Sequence, residues 1–265
     1  MIARLFLLSA MALPVKSQEA KTPVQQRTEF EVASVKPLGS GKGGFIGWHV
    51  YPGGRVVISH STLRMLIEFA FDVQPFQISG DPDWAHDLQY RYEIEALPPA
   101  NSESSKTNPS TPKAPLNPEQ REMLQSLLMD RFQLQFHRET RQGPVFLLTL
   151  GKGDLKLKEV KHDSEFEWVG SVKGAGISGD GLAGKNISMP VLAQRLSAYL
   201  EKPVFDQTGL KGFFDFRYEY ATNEEKPDVI SCIITSLQGI GLKLKASQGP
   251  VETIVIDHAE KPSAN

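Results

Sequence analysis

Apolar residues recur at helical spacing in two matching stretches: Leu63, Leu66, Ile67 and Ala70 in one, Met189, Leu192, Ala193 and Leu196 in the other. An i, i+3, i+4, i+7 spacing lines up one apolar stripe along a helix and predicts helices over 62–71 and 189–200. A second pair is predicted over 118–131 and 227–238. Each opens on proline, which the first turn tolerates because its N–H groups lack intrahelical partners. Alternation of period two predicts half-buried strands over 90–96 and 213–220, with shorter ones at 56–58, around Leu182, at 30–35 and around 166–169. Turn residues stand at Gly80-Asp81-Pro82 and Thr208-Gly209-Leu210.

These elements fall into two similar series. Gln-Gly-Pro-Val occurs at 142–145 and again at 248–251. Leu124, Leu127, Phe132 and Leu134 precede the first copy as Ile234, Leu237, Leu242 and Leu244 precede the second. Matching flanks in the same order mark an internal repeat. The predicted fold is α+β, with two similar β-α-β-α-β-β subdomains and the helices packed on one face of each sheet. The last two strands of each unit are expected to form a hairpin, 133–138 with 145–150 and 242–246 with 251–256, turning at Gln-Gly-Pro. The expected layout is a first unit over 21–150, a linker over 151–180 and a second unit over 181–265. Within the first unit, the proline-rich polar stretch 98–118 cannot bury enough surface to fold and is expected to be a disordered loop.

Arg4 precedes the apolar run Leu5 to Leu13, and Pro14 then breaks any helix. A basic start with a short greasy stretch is the pattern of an export signal, too short to span a bilayer, and residues 1–20 are read as one. The destination is then periplasmic or extracellular. No later stretch is long and apolar enough to span, so no transmembrane segment is expected in the mature chain. Of 265 residues 40% are hydrophobic and 23% charged, which suits a packed core. The formal net charge of −2 argues against a nucleic-acid binder that works by neutralising phosphate. Cys232, the single cysteine, excludes an internal disulfide, and its apolar neighbours make it a buried small hydrophobe.

Several phrases carry a resemblance: Phe30-Glu31-Val32-Ala33-Ser34-Val35-Lys36-Pro37, the run from Met123 to Phe132, His137-Arg138-Glu139-Thr140, and Asp206-Gln207-Thr208-Gly209-Leu210-Lys211-Gly212. Together they resemble a large acidobacterial exported family of unknown function, and the likeness runs from Phe30 to Asn265. Some members of that family look fused to a membrane peptidase-sensor of the type that regulates β-lactam resistance, a part this chain lacks. The second unit is also similar to the short N-terminal domain of secretins and TonB-dependent receptors. That likeness implies docking or signalling in the envelope rather than turnover.

The chemistry-bearing residues do not assemble into a known catalytic signature. The glycine-rich stretch from Gly39 to Gly44 lacks both the leading glycine and the trailing Ser or Thr of a phosphate loop. The six histidines form no zinc-binding pair, and no Gly-x-Ser-x-Gly elbow presents a nucleophile. His137 reads as a charge-paired residue on an exposed strand, and Glu93 and Glu95 as solvent-facing acids. No catalytic residue, metal ligand or cofactor is assigned. The candidate binding residues are Trp48, Asp81, Asp83 and Trp84, since loop aromatics stack on sugars or anchor protein partners; the competing reading has both tryptophans plugging the ends of the fold. The expected function is an exported, non-enzymatic binding or interaction module for a protein or envelope component. The alternative is a secreted hydrolase with its site between the two units.

Overall fold

The computed structural model describes residues 28–39, 44–109, 114–162, 167–170, 181–219 and 228–262. The segment read as an export signal lies outside these residues, as does Phe166.

The chain is α+β, with four α-helices and three four-stranded sheets among the described residues. In the first half the order is β1 (Val32–Leu38), β2 (Gly47–Val50), β3 (Val56–Ser61), α1 (Leu63–Phe71), β4 (Ile78–Ser79), β5 (Arg91–Leu97), α2 (Pro118–Arg131) and β6 (Gln135–Leu150). The second half follows with β7 (Lys158–Val160), β8 (Trp168–Gly170), β9 (Gly181–Ile187), α3 (Met189–Leu200), β10 (Val204–Asp206), β11 (Phe213–Glu219), α4 (Val229–Gly239) and β12 (Leu242–His258).

Local chemistry accounts for the helix boundaries. The Thr62 hydroxyl accepts the Met65 N–H at the start of α1, and the Asp228 carboxylate accepts the Ser231 N–H at the start of α4. Asn117 and Gln120 cap α2 reciprocally, with Pro118 following. At the start of α3 the Glu167 carboxylate accepts both the backbone N–H and the hydroxyl of Ser188, at 3.0 and 2.8 Å.

The two outer sheets share one plan. Their orders are β1-β5-β3-β2 and β7-β11-β9-β8, and every pair in both is antiparallel. The segment 151–180, read as a linker, therefore supplies two strands of the second outer sheet. Part of the stretch 98–118, read as disordered, is also tied down. The Gly53 N–H donates to the Thr107 carbonyl at 3.0 Å, and the Ser104 N–H donates to Glu119 at 2.6 Å. The polar residues that argued for disorder serve instead as hydrogen-bond partners; residues 110–113 lie outside the described ones.

The third sheet corrects the expected hairpins. Neither Gln-Gly-Pro is a turn. β6 and β12 each run straight through theirs, and the two strands pair antiparallel along their whole length, with Gly143 opposite Gly249. Short parallel strands flank this ladder, β10 beside β6 and β4 beside β12, in the order β10-β6-β12-β4. The glycines serve close approach rather than a bend. A Cβ on Gly143 would lie 3.0 Å from a Val251 methyl, and one on Gly249 equally near a Val145 methyl. Pro144 and Pro250 stand where the ladder is only two strands wide, a place where a strand tolerates a missing N–H.

Each core is consequently built from both halves of the sequence. The first gathers Val56, Ile58 and Ile94 from the outer sheet, Leu63, Leu66 and Ile67 from α1, Leu124 and Leu128 from α2, and Ile254 and Ile256 from the far end of β12. The second gathers Leu182, Leu192, Leu196, Phe214, Phe216, Ile233 and Leu237 with Leu148 from the far end of β6. Cys232 is buried, in keeping with its apolar neighbours.

Candidate functional site

A cleft of about 360 Å³ opens where the two halves meet. Its walls are Trp48, the C-terminal part of α1 with the residues after it, the approach to α2 with Arg121, and Gln194, Arg195 and Ala198 of α3. A volume in this range suits a small ligand, and polar and apolar side chains share its walls about equally.

Trp48 reaches the cleft because alternation along β2 turns it to the helix side of the sheet, opposite Ile58 of β3. Its ring packs on Phe69 with centroids 4.6 Å apart. Its Nε1–H donates to the Ala114 carbonyl at 2.9 Å, which pins the ring. Asp72 ends α1 in the left-handed region (φ 54°), and its carboxylate meets Arg121 of α2 at 2.9 Å.

Glu68 is the unusual group. It lies one helical turn after Arg64, the spacing at which a cation would ordinarily pair with it. Arg64 is engaged elsewhere. Its Nη1 donates to both Asp81 oxygens at 2.6 and 2.7 Å, and its Nη2 to the carbonyls of Pro75 and Ile78 at 2.7 and 3.2 Å. Glu68 makes no ion pair among the described residues. Burial pushes its carboxyl up to about 7; Arg64 opposes the shift and Asp81 adds to it. Arg195, facing the same space from α3, has no ion-pair partner among the described residues either.

The residues singled out from sequence are divided by the fold. Trp48 lines the cleft. Asp81 does not; its side chain is only 6% exposed and holds the turn after β4 onto Arg64. Asp83 is exposed in the short turn at Asp83–Ala85. Trp84 packs partly buried against the first core, with the Lys261 ammonium 5.7 Å from its ring. Asp81, Asp83 and Trp84 thus stay together on one turn, while Trp48 faces the cleft with Glu68 and Arg195, which sequence reading missed. The signal for Glu68 was faint: an acid at a half-buried position of a helix whose one other charged residue is Arg64.

Elsewhere, the His137 ring sits between Asp257 at 2.9 Å and Glu139 at 3.3 Å on the ladder surface. Hydrogen bonds to these two carboxylates raise its pKa. It is the charge-paired strand residue that the sequence indicates. Among the described residues no group of three or more His, Cys, Asp or Glu is placed to hold a metal ion. Nor is any described helix long and apolar enough to cross a membrane.

The fold and cleft together define a two-lobed α+β domain with a pocket at the junction of its lobes. The chain belongs to the family described as "Protein of unknown function (DUF3738)", whose model matches residues 64–259. No curated protein and no solved structure matches it.

Proposed function

We propose that the protein is an exported, non-enzymatic binding module for a protein or envelope component, with its principal contact at the cleft between the lobes. The observation that carries this reading is that the pinned Trp48 ring and Arg195 line one cleft. A fixed aromatic surface and an unengaged cation, contributed by different lobes, suit a ligand bearing both a flat apolar part and an acidic group. The two lobes are read as copies of one unit, supported by their common strand order. The turn bearing Asp83 and Trp84 is a secondary contact in this reading, and Asp81 acts indirectly by keeping Arg64 away from Glu68.

The apolar run after Arg4 supports export. Protein recovered from native cells should begin between residues 13 and 21; an intact Met1 on cytoplasmic material would overturn that part of the reading. Native mass spectrometry of the same material tests the cleft. A retained molecule present on the native protein and lost from Trp48→Ala and Arg195→Glu is the expected result, and equal retention by all three is the opposing one.

One observation favours the hydrolase reading. A carboxyl held near neutrality is what a general acid requires, and Glu68 stands in the cleft between the two lobes, where that reading places its site. Turnover of an ester, amide or glycoside by the native protein, abolished in Glu68→Gln, would establish it over the binding module.

A further inference from the structure

The outward face of the second outer sheet is a surface separate from the cleft, lined by other residues. A shallow depression of about 460 Å³ lies there, lined by Lys156, Lys158, Trp168, Lys185, Asp215 and Arg217 around the small residues Ala183 and Gly184. The inward side chains of β11, Phe214 and Phe216, are in the second core, so the alternate residues Asp215 and Arg217 face outward. Lys158 stands opposite Asp215 across β7–β11, and Trp168 opposite Lys185 across β8–β9. The cations thus step across neighbouring strands and end at an indole.

The charge balance of this face is positive. Lys156, Lys158 and Lys185 have no ion-pair partner among the described residues. Asp215 accepts the Asn186 N–H at 2.8 Å, and Arg217 pairs with Glu219. The floor is flat because β9 is small at its centre. Ala183, two residues before Lys185 on the same face, carries only a methyl, while Gly184 sits against the inward Phe216 ring.

We propose that this face binds an acidic polysaccharide, one whose sugar rings carry carboxylates. An indole stacks on the apolar face of a sugar ring, and lysines meet carboxylates as mobile point charges. Charge complementarity selects an anion, and the shallow open form suits a chain running across the sheet rather than an enclosed small molecule. A polynucleotide is the poorer match. Sheets that read single strands stack two or three bases on aromatic residues, and among the described residues Trp168 is the one aromatic side chain lining this depression besides the core residue Phe216.

The test is titration of the mature chain with an oligogalacturonate, following tryptophan fluorescence and heat. Parallel titrations use the methyl-esterified oligomer, single-stranded DNA and polyglutamate. Binding of the oligogalacturonate, weakened by salt and absent for the neutral ester, is expected. The double variant Lys158→Glu/Lys185→Glu should weaken it about tenfold or more, since it reverses two charges at exposed sites that do not hold the fold. Trp168→Ala should also weaken it. The proposal fails if oligogalacturonate does not bind, if the lysine double variant binds equally well, or if DNA or polyglutamate binds as tightly.

Discussion

The two outer sheets have the same strand order and pairing but differently charged outward faces. On the first, β5 turns Glu93 and Glu95 to solvent, Glu95 pairing with Arg55 at 2.7 Å and Glu93 standing opposite Lys36. On the second, the corresponding strand β11 presents Asp215 and Arg217, flanked by Lys158 and Lys185. The inward positions agree: Tyr92, Ile94 and Ala96 on β5, Phe214 and Phe216 on β11, all buried. Inward residues must bury the helices or the lobe does not fold, so their apolar character is constrained in both. Outward residues carry no such demand and can diverge in charge at little cost to stability. The difference between the lobes is therefore a difference in what they can meet.

The largest effect should come from the strands that join the lobes. Ile254 and Leu148 are fully buried, each in the core of the lobe opposite its own half of the chain. Ile254→Ala and Leu148→Ala should each cost about 2–4 kcal/mol in denaturant unfolding. NMR shift changes should concentrate in α1 and α2 for the first variant and in α3 and α4 for the second. The opposite assignment would show that the strands do not cross between cores.

A smaller effect separates the lobes by pH. Glu68 in α1 binds its proton more tightly in the folded chain, at about 7, than at the ordinary value of 4.5. Between these values the folded state holds more protons than the unfolded one, so stability falls as pH rises from 4.5 through 7 and levels off above. The group is partly exposed, and screening should hold the loss to about 1–2 kcal/mol between pH 5 and 8. Glu68→Gln should flatten most of that slope; an unchanged slope would place its origin elsewhere. His137 works in the same direction, since its raised pKa gives stability present at low pH and lost as the pH rises through the folded-state value.

The smallest effect on stability should follow from exchanging the outer charges. Glu93→Lys/Glu95→Lys and Lys158→Glu/Lys185→Glu should each change unfolding free energy by no more than about 1 kcal/mol. Saccharide binding should respond only to the second pair. A large loss of stability in either would mean that these faces are structural.

Much of the architecture was legible from periodicity. The predicted helices 118–131 and 189–200 coincide with α2 and α3, and strands 90–96 and 213–220 lie within a residue of β5 and β11. These features depend on neighbours in sequence: a stripe of apolar residues, a capping side chain, an alternation. The failures were of another kind. Gln-Gly-Pro suits a turn, yet the absence of a side chain also suits two strands pressed together, and local sequence does not distinguish the two uses. Alternation tells which side chains of Leu134 to Leu148 face inward but not which strand lies beside them, because backbone hydrogen bonds are alike for every partner. The cleft shows the same division. Glu68, Arg195 and Trp48 are far apart in sequence, and Glu68 acquires its unusual proton affinity because the packed lobe removes water, with Arg64 opposing the shift and Asp81 adding to it. Sequence alone determined the elements and their buried faces, since those follow from short-range chemistry; tertiary structure decided the strand crossing, the cleft and the proton affinity, since those depend on groups that only folding brings together.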